Sequence, residues 1–436
     1  MNDVDDSSSF ISYRRGDPLA ALAQWRVEMM AADKPCGILL VKFELPQYWL
    51  QDEPAINLTA IYCLADGDLQ VSVTDAQLEE GEQAPLAQYR GWAHQHGFAR
   101  TTNNDPVGLE PLSVAKPWGQ EIWFSGVEER GVCCFRLGEG KTPVPWLQAV
   151  MPGAALGPPG QGLVLLKILD PAPEPVTGDL YFELHEEKRE VYVVTHVDAQ
   201  AWPDGTGGIR YGFRPDRIAA AGSEDAFRAQ YLASVRAYEA VRRQIDGLPP
   251  GEAPSSELVA QEEKLRLAMN DFTAMVPLRV GDVIKVPLLL PHSLQHGVRT
   301  IEFQTPVYER KILSFAQQVL TQDHWDTAEA VGRMTLLPPA GNDSQRLPGE
   351  EGSYVERIVD FEDFEVWRVA LEPGTGYRPP PADCYRIVMV VRGEVTLAGL
   401  RYGPEQAVLL PAAGQFELSA SEASEGVVFL LATPRS

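Results

Sequence analysis

Apolar positions recur along this chain with two different periods. Between 18 and 33 (PLAALAQWRVEMMAAD) they fall at helical spacing, with Leu19, Leu22, Trp25, Val27, Met29 and Met30 as the apolar set. The same period returns across 213–272. There FRAQYLASVRAYEAVRRQI and ELVAQEEKLRLAMNDF carry apolar residues three and four apart, on either side of the breaker LPPGEAP. Elsewhere, short Val/Ile/Leu runs bounded by Gly and Pro predict strands. In the first part of the chain these lie at 37–43, 57–64 and 69–74, with Asp66-Gly67-Asp68 as a hairpin turn between the last two. From 116 onward KPWGQEIWF, GVCCFRL, LVLLKILD, DLYFELH and REVYVVTHVD follow one another, and strand patterns resume at 276–290 and 299–305. After 354 the runs EVWRVAL, YRIVMVVRGEVTLAG, QAVLLPA, FELSA and GVVFLLA alternate with turns.

This punctuation predicts a mainly β protein with a helical insertion. A chain of 436 residues holds two to four domains at roughly 100–200 residues each. An N-terminal α+β region is expected over 1–110, with the first dozen residues as a tail and 82–110 polar and irregular. It carries no interpretable motif beyond His94-Gln95-His96, which would place two imidazoles on one face of a strand. A β domain is expected over 111–320, interrupted by helices at about 213–272. A Pro/Gly-rich linker follows at 321–353, and a second β-barrel or sandwich at 354–436.

Net charge changes the range of partners. At −24 the chain lacks the basic surface that a general nucleic-acid or anionic-membrane binder needs, so neither is expected. A small anionic substrate would require a local basic pocket. The five cysteines, at 36, 63, 133, 134 and 384, form no CxxC pair and read as thiols of a reducing compartment. MNDVDDSSSF has neither the basic nor the apolar part of a signal peptide. No apolar run approaches the roughly 18–20 residues of a membrane helix. A soluble, cytoplasmic protein is expected.

One constellation carries candidate chemistry. Glu183 and His185 are separated by one residue, so on a strand they share a face; Glu190 follows after a short turn. Far downstream, GDVIKVPLLLPH supplies His292. The pair of motifs is similar to those of cupins, HxHxxxxE and G-x5-P-x-G-x-x-H. The second matches through Gly281, Pro287 and His292, with Leu289 in place of the internal Gly. Two imidazoles and two carboxylates suit a divalent first-row metal such as zinc, manganese or iron. The expected architecture is therefore two cupin-type β-barrel (jelly-roll) domains behind the α+β region. The second has the strand–Gly–strand texture of a cupin in VVRGEVTLAG, but no histidine occurs from 354 onward, so no metal is expected there.

From about Lys116 to Arg310, and more faintly beyond, the chain resembles class I mannose-6-phosphate isomerases. KPWGQEIWF looks like that family's PWG segment, and LLKILD like the strand leading to the metal. Glu183-Leu184-His185 stands where the family has Q-V-H. Lys188-Arg189-Glu190-Val191-Tyr192 matches K-x-E-x-W, and His292 the His of a PAGTxHA-like stretch. The resemblance implies a divalent metal, zinc, held by Glu183, His185, Glu190 and His292, and aldose–ketose isomerisation of a sugar or sugar phosphate. It implies Arg310 as a cation stabilising developing charge. Lys188 and Glu302 would lie close to the sugar for proton handling or hydrogen bonding. His296 is a further candidate base, and Arg189, Arg299, Arg310 and Lys311 are candidate phosphate partners. The sequence departs from the family in three places. Its Gln ligand is Glu183 here, the loop between His185 and Glu190 is short, and EFQTPVYER is two residues shorter than the family's segment. Two other readings stay open: a non-catalytic carbohydrate-binding or regulatory cupin, and a metal-dependent cupin oxygenase.

Overall fold

The computed structural model describes residues 10–65, 67–79, 84–339, 341, 344–412 and 414–435. Residues 1–9 of the expected tail, Asp66 of the expected hairpin, and parts of the expected linker at 340 and 342–343 lie outside them; the rest of the expected tail, 10–12, belongs to a strand, Phe10–Arg15. The protein is mainly β and divides into two compact units. The first comprises residues up to Leu112, Trp123–Leu165 and Ser344–Ser436. The second comprises Ser113–Ile122 and Leu166–Asp343.

In the first unit a four-stranded sheet runs in sequence order through Phe10–Arg15, Gly37–Pro46, Ala55–Ala65 and Asp68–Thr74. The helix Pro18–Ala31 starts at Asp17, whose carboxylate accepts the Ala20 N–H at 2.7 Å, and buries Leu22, Trp25 and Met29. Val27 and Met30 of its expected apolar set face solvent. The segment expected to be irregular, 82–110, contains the helix Pro85–His96. Tyr89, Trp92 and Ala93 are its buried stripe, packed on Ile38, Leu40 and Ile61. Apart from Leu86, Tyr89 and Trp92 its residues are polar, small or proline, which leaves too faint a periodic signal. His94 and His96 are therefore on a helix and not a strand, where positions two apart point to different sides.

The larger sheet of this unit mixes distant parts of the chain. Val107–Glu110 pairs with Ala407–Leu410, and Cys134–Leu137 and Gly140–Pro143 extend the same sheet. The segment 123–165, expected inside the metal-binding domain, thus belongs with the C-terminal strands. Pairing partners about 300 residues apart leave no local pattern to read. A second, four-stranded sheet faces this one, and Val369, Val388, Val395, Leu397, Val408 and Leu418 fill the space between them.

The second unit is also a pair of facing sheets. One has the order Val283–Val286, Glu190–Val197, Val298–Gln304, Leu165–Pro171, Gly119–Trp123, Leu112–Lys116. The other has Thr273–Leu278, Gly207–Phe213, His292–Leu294, Phe182–Leu184, Lys311–Ser314. Tyr192, Val194, Val286 and Val298 from the first meet Ile209, Tyr211, Leu294 and Ile312 from the second. The helices Pro215–Ala220, Glu224–Asp246 and Ser256–Asn270 leave and rejoin at Gly207–Phe213 and Thr273–Leu278, which are paired neighbours. The insertion is a hairpin connection grown into helices, so it leaves the sheet intact. Ser223 and Ser255 cap the two longer helices. Phe227, Tyr231, Val235 and Tyr238 press onto Phe182, Leu184, Phe213 and Leu313, the outer face of the second sheet. The stretch expected as a linker from 321 is packed as far as 336: Ala330, Val331, Met334 and Leu336 join that same cluster.

Gly119, in the KPWGQEIWF motif, sits at φ 145°, and a β-carbon there would lie 2.3 Å from the Asp170 carbonyl oxygen. The close approach aligns Gly119–Trp123 beside Leu165–Pro171, the strands that carry Glu121 and Lys167. Gly119→Ala is expected to lower the unfolding free energy by about 1–3 kcal/mol, read from the urea midpoint.

Candidate metal centre

Strand alternation brings the predicted residues together. In Phe182–Leu184, Phe182 and Leu184 face the inserted helices, so Glu183 and then His185 turn to the space between the sheets. His292 is the cross-strand partner of Glu183. Glu190 opens the strand Glu190–Val197, with Tyr192 and Val194 following on the same inward face. Leu289, which stands where the cupin motif has Gly, adopts the left-handed conformation that favours Gly, at φ 64°. Its N–H donates to the His185 carbonyl at 2.7 Å, which ties the two halves of the site to each other.

Glu183, His185 and His292 each offer a ligand atom, all within 4.8 Å of one another. Glu190 lies between the imidazoles: Oε1 is 3.3 Å from His185 Nε2 and Oε2 is 3.2 Å from His292 Nε2. Each histidine is fixed from behind. His185 Nδ1 is 3.0 Å from the Glu309 carbonyl oxygen and His292 Nδ1 is 3.1 Å from that of Leu290. With the Nδ1 protons donated there, both Nε2 atoms turn lone pairs toward the Glu190 carboxylate. His185 Nε2 is buried and has no hydrogen-bond partner among the described residues. Lone pairs facing a carboxylate across a buried gap repel unless positive charge joins them. Two neutral imidazoles and two carboxylates therefore fit a divalent cation.

The charges around the site agree with this. Burial, and next the neighbouring Lys188, lower His185 to about 4, so it is neutral at neutral pH, the form in which an imidazole can ligate a metal. Burial alone would raise Glu190, but the Lys188 charge beside it holds its carboxyl well below the usual range. Lys188 Nζ is 2.8 Å from Glu190 Oε1, and the Tyr192 hydroxyl donates to Glu190 Oε2 at 2.6 Å. Arg310 stacks its guanidinium over Tyr181 at 4.5 Å and reaches within 3.8 Å of Glu183.

Glu302 is buried opposite Tyr192, and Lys167 lies 3.3 Å from its carboxylate. Burial and the charge of Glu190 push Glu302 well above the usual carboxylate range. Lys167 in turn lies 3.4 Å from Glu121, which Lys116 meets at 2.9 Å. Burial disfavours the Lys167 charge, but Glu121 and Glu302 outweigh it and raise its pKa. The sequence motifs single out neither Lys167 nor Glu121; the available signal is a lysine inside the otherwise apolar run LLKIL.

Other sequence candidates are engaged elsewhere. His296 Nδ1 is 2.7 Å from Asp179 and its ring stacks on Trp202, a fixed structural arrangement. Arg299 pairs with Asp170 at 2.6 Å and Lys311 with Glu329 at 3.1 Å, so they do not assemble a free phosphate cradle with Arg310. Among the described residues, no helix is long and apolar enough to cross a membrane.

No protein-family model and no curated protein matches this chain. Solved structures do. A mannose 6-phosphate isomerase from Bacillus subtilis is 15% identical over 75% of this chain and 98% of its own, with a TM-score of 0.53. A mutant phosphomannose isomerase from Salmonella typhimurium is 13% identical over 76% of this chain and all of its own, with a TM-score of 0.54. A mannose 6-phosphate isomerase bound with zinc and yttrium gives 12%, 76%, 100% and 0.53. The chain shares the fold of these enzymes, and a structural relationship to them follows.

The low His185 pKa makes the metal-free protein acid-sensitive. The unfolded imidazole takes a proton near its ordinary value of 6.5, whereas the folded one resists until about 4. Stability is therefore full above pH 6.5 and falls as pH drops toward 4, by up to about 3 kcal/mol. In urea titrations of chelator-treated protein, His185→Gln is expected to flatten this slope.

Proposed function

We propose that the protein is a metal-dependent aldose–ketose isomerase acting on a sugar phosphate, with mannose 6-phosphate and fructose 6-phosphate as the pair to test. The carrying observation is the convergence of His185, His292, Glu190 and Glu183 beside a buried Glu302–Lys167 pair, in a fold shared with mannose 6-phosphate isomerases. The four converging residues would hold the metal. Zinc is the ion proposed, since His and carboxylate ligands suit it and a neighbour in fold binds it.

When bound, such a cation supplies Lewis-acid polarisation of a carbonyl and its vicinal hydroxyl. The chain's own groups divide the remaining work. Glu302, its carboxyl raised by burial and by Glu190, is poised to hold a proton and return it between adjacent carbons. Lys167 fixes Glu302 at 3.3 Å. Arg310 offers a guanidinium to oxyanion charge. Lys188 is the cation nearest the proposed ligand carboxylates, 2.8 Å from Glu190.

One observation favours a second reading. Glu183 brings a charge where the similar family has a neutral Gln, and it lies 3.8 Å from Arg310. That contact draws the Arg310 charge toward a ligand and away from substrate, as suits a sugar-binding protein without turnover.

A coupled assay for conversion of mannose 6-phosphate to fructose 6-phosphate separates the two. Turnover is expected in the metal-loaded protein, lost on chelation and restored by zinc. Arg310→Gln is expected to lower kcat/KM by ~10²-fold with bound metal unchanged. Zinc bound at one equivalent without turnover would leave the binding reading. Iron bound after aerobic purification would point to oxygenase chemistry.

A further inference from the structure

The first unit contains a basic pocket that the proposed isomerase chemistry does not use. It is an open concavity of about 550 Å³, lined by Gln70, Arg90, His94, Arg100, Thr101 and Asp105. That volume is in the range of small-molecule sites. Its walls are held by short-range contacts. Arg90 and His94 are four apart on the helix Pro85–His96, so they share a face. The helix ends at Gly97 in a left-handed turn at φ 61°, which sends the chain back toward the sheet. There Thr101 pairs with Val71 through two backbone hydrogen bonds, at 2.8 and 3.1 Å. The Ser72 hydroxyl meets the Tyr89 hydroxyl of the helix and donates to the Ala99 carbonyl, both at 2.7 Å. Arg100 is thereby set beside Arg90 and His94.

The charge in this pocket runs against that of the chain. Among the described residues, neither Arg90 nor Arg100 forms an ion pair, although the protein carries a net charge of −24. Most other arginines described here sit on carboxylates, as Arg214 does on Asp216 and Asp271. Among the described residues Asp105 is the one carboxylate lining the pocket, and its Oδ2 already accepts the Thr102 N–H at 3.0 Å. Gln70 adds a buried Oε1 with no hydrogen-bond partner among the described residues, an acceptor suited to a ligand hydroxyl. Two unpaired guanidinium forks are the chemistry that grips a phosphate.

We infer that this pocket binds a small phosphorylated metabolite, with Arg90 and Arg100 on the phosphate and Gln70 on a neighbouring hydroxyl. The inference does not depend on the isomerase reading, because every residue it uses lies in the first unit.

The test is calorimetric titration of the full-length chain with inorganic pyrophosphate at low ionic strength, with citrate titrated in parallel. Pyrophosphate is expected to bind at one site here. Binding should weaken at least ~10-fold in Arg90→Gln/Arg100→Gln and persist in His292→Ala. The double variant alters exposed side chains, and an unchanged thermal midpoint shows that it has folded. Equal affinity in the double variant, or loss of binding in His292→Ala alone, would overturn the assignment. Tighter binding of citrate than of pyrophosphate would overturn the phosphate class.

Discussion

Three buried groups of one polarity face each other at the centre of the second unit. The Nε2 lone pairs of His185 and His292 lie 3.3 and 3.2 Å from the two oxygens of Glu190. That arrangement is tolerable only with positive charge at close range. Lys188 supplies part of it from 2.8 Å. The convergence of Glu183 on the same point makes room for a divalent cation to supply the rest. The backbone carbonyls of Glu309 and Leu290, which fix the imidazoles, are in place to keep the lone pairs inward.

The surrounding architecture serves that constraint. The second sheet has to present Glu183, His185 and His292 on one face while its other face is covered. The inserted helices provide the cover, burying Phe227, Tyr231, Val235 and Tyr238 against Phe182, Leu184, Phe213 and Leu313. Because the insertion leaves and returns on paired strands, it does so without interrupting the ladder that sets the Glu183–His292 register. On the opposite sheet the alternation Glu190, Tyr192, Val194 passes from proposed ligand to core within three inward positions. The Tyr192 hydroxyl links the two by donating to Glu190.

How much was legible in the sequence follows from the range of each signal. Glu183 and His185 are two apart, and strand periodicity alone predicts a shared face. The PLLLPH motif was readable although Leu289 replaces its Gly, and the positive φ of Leu289 explains why the motif asks for Gly there. The Glu121–Lys167–Glu302 chain was not assembled, because its members lie on three separate strands and only cross-strand register joins them. The helix Pro85–His96 was not legible because its large apolar residues are few, Leu86, Tyr89 and Trp92. Nor does local pattern show that Val107–Glu110 pairs with strands near the C-terminus. His94 and His96 do not share the face that a strand would give them, since a helix separates positions two apart.

The most direct measurement is the metal content of protein purified without chelator, for the wild type and for His292→Ala, with folding checked by circular dichroism. One equivalent of a divalent metal in the wild type, and its loss in a folded His292→Ala, is the result predicted. Full occupancy in the variant, or a wild type that takes up no divalent metal even when supplied with zinc, would contradict the four-residue centre.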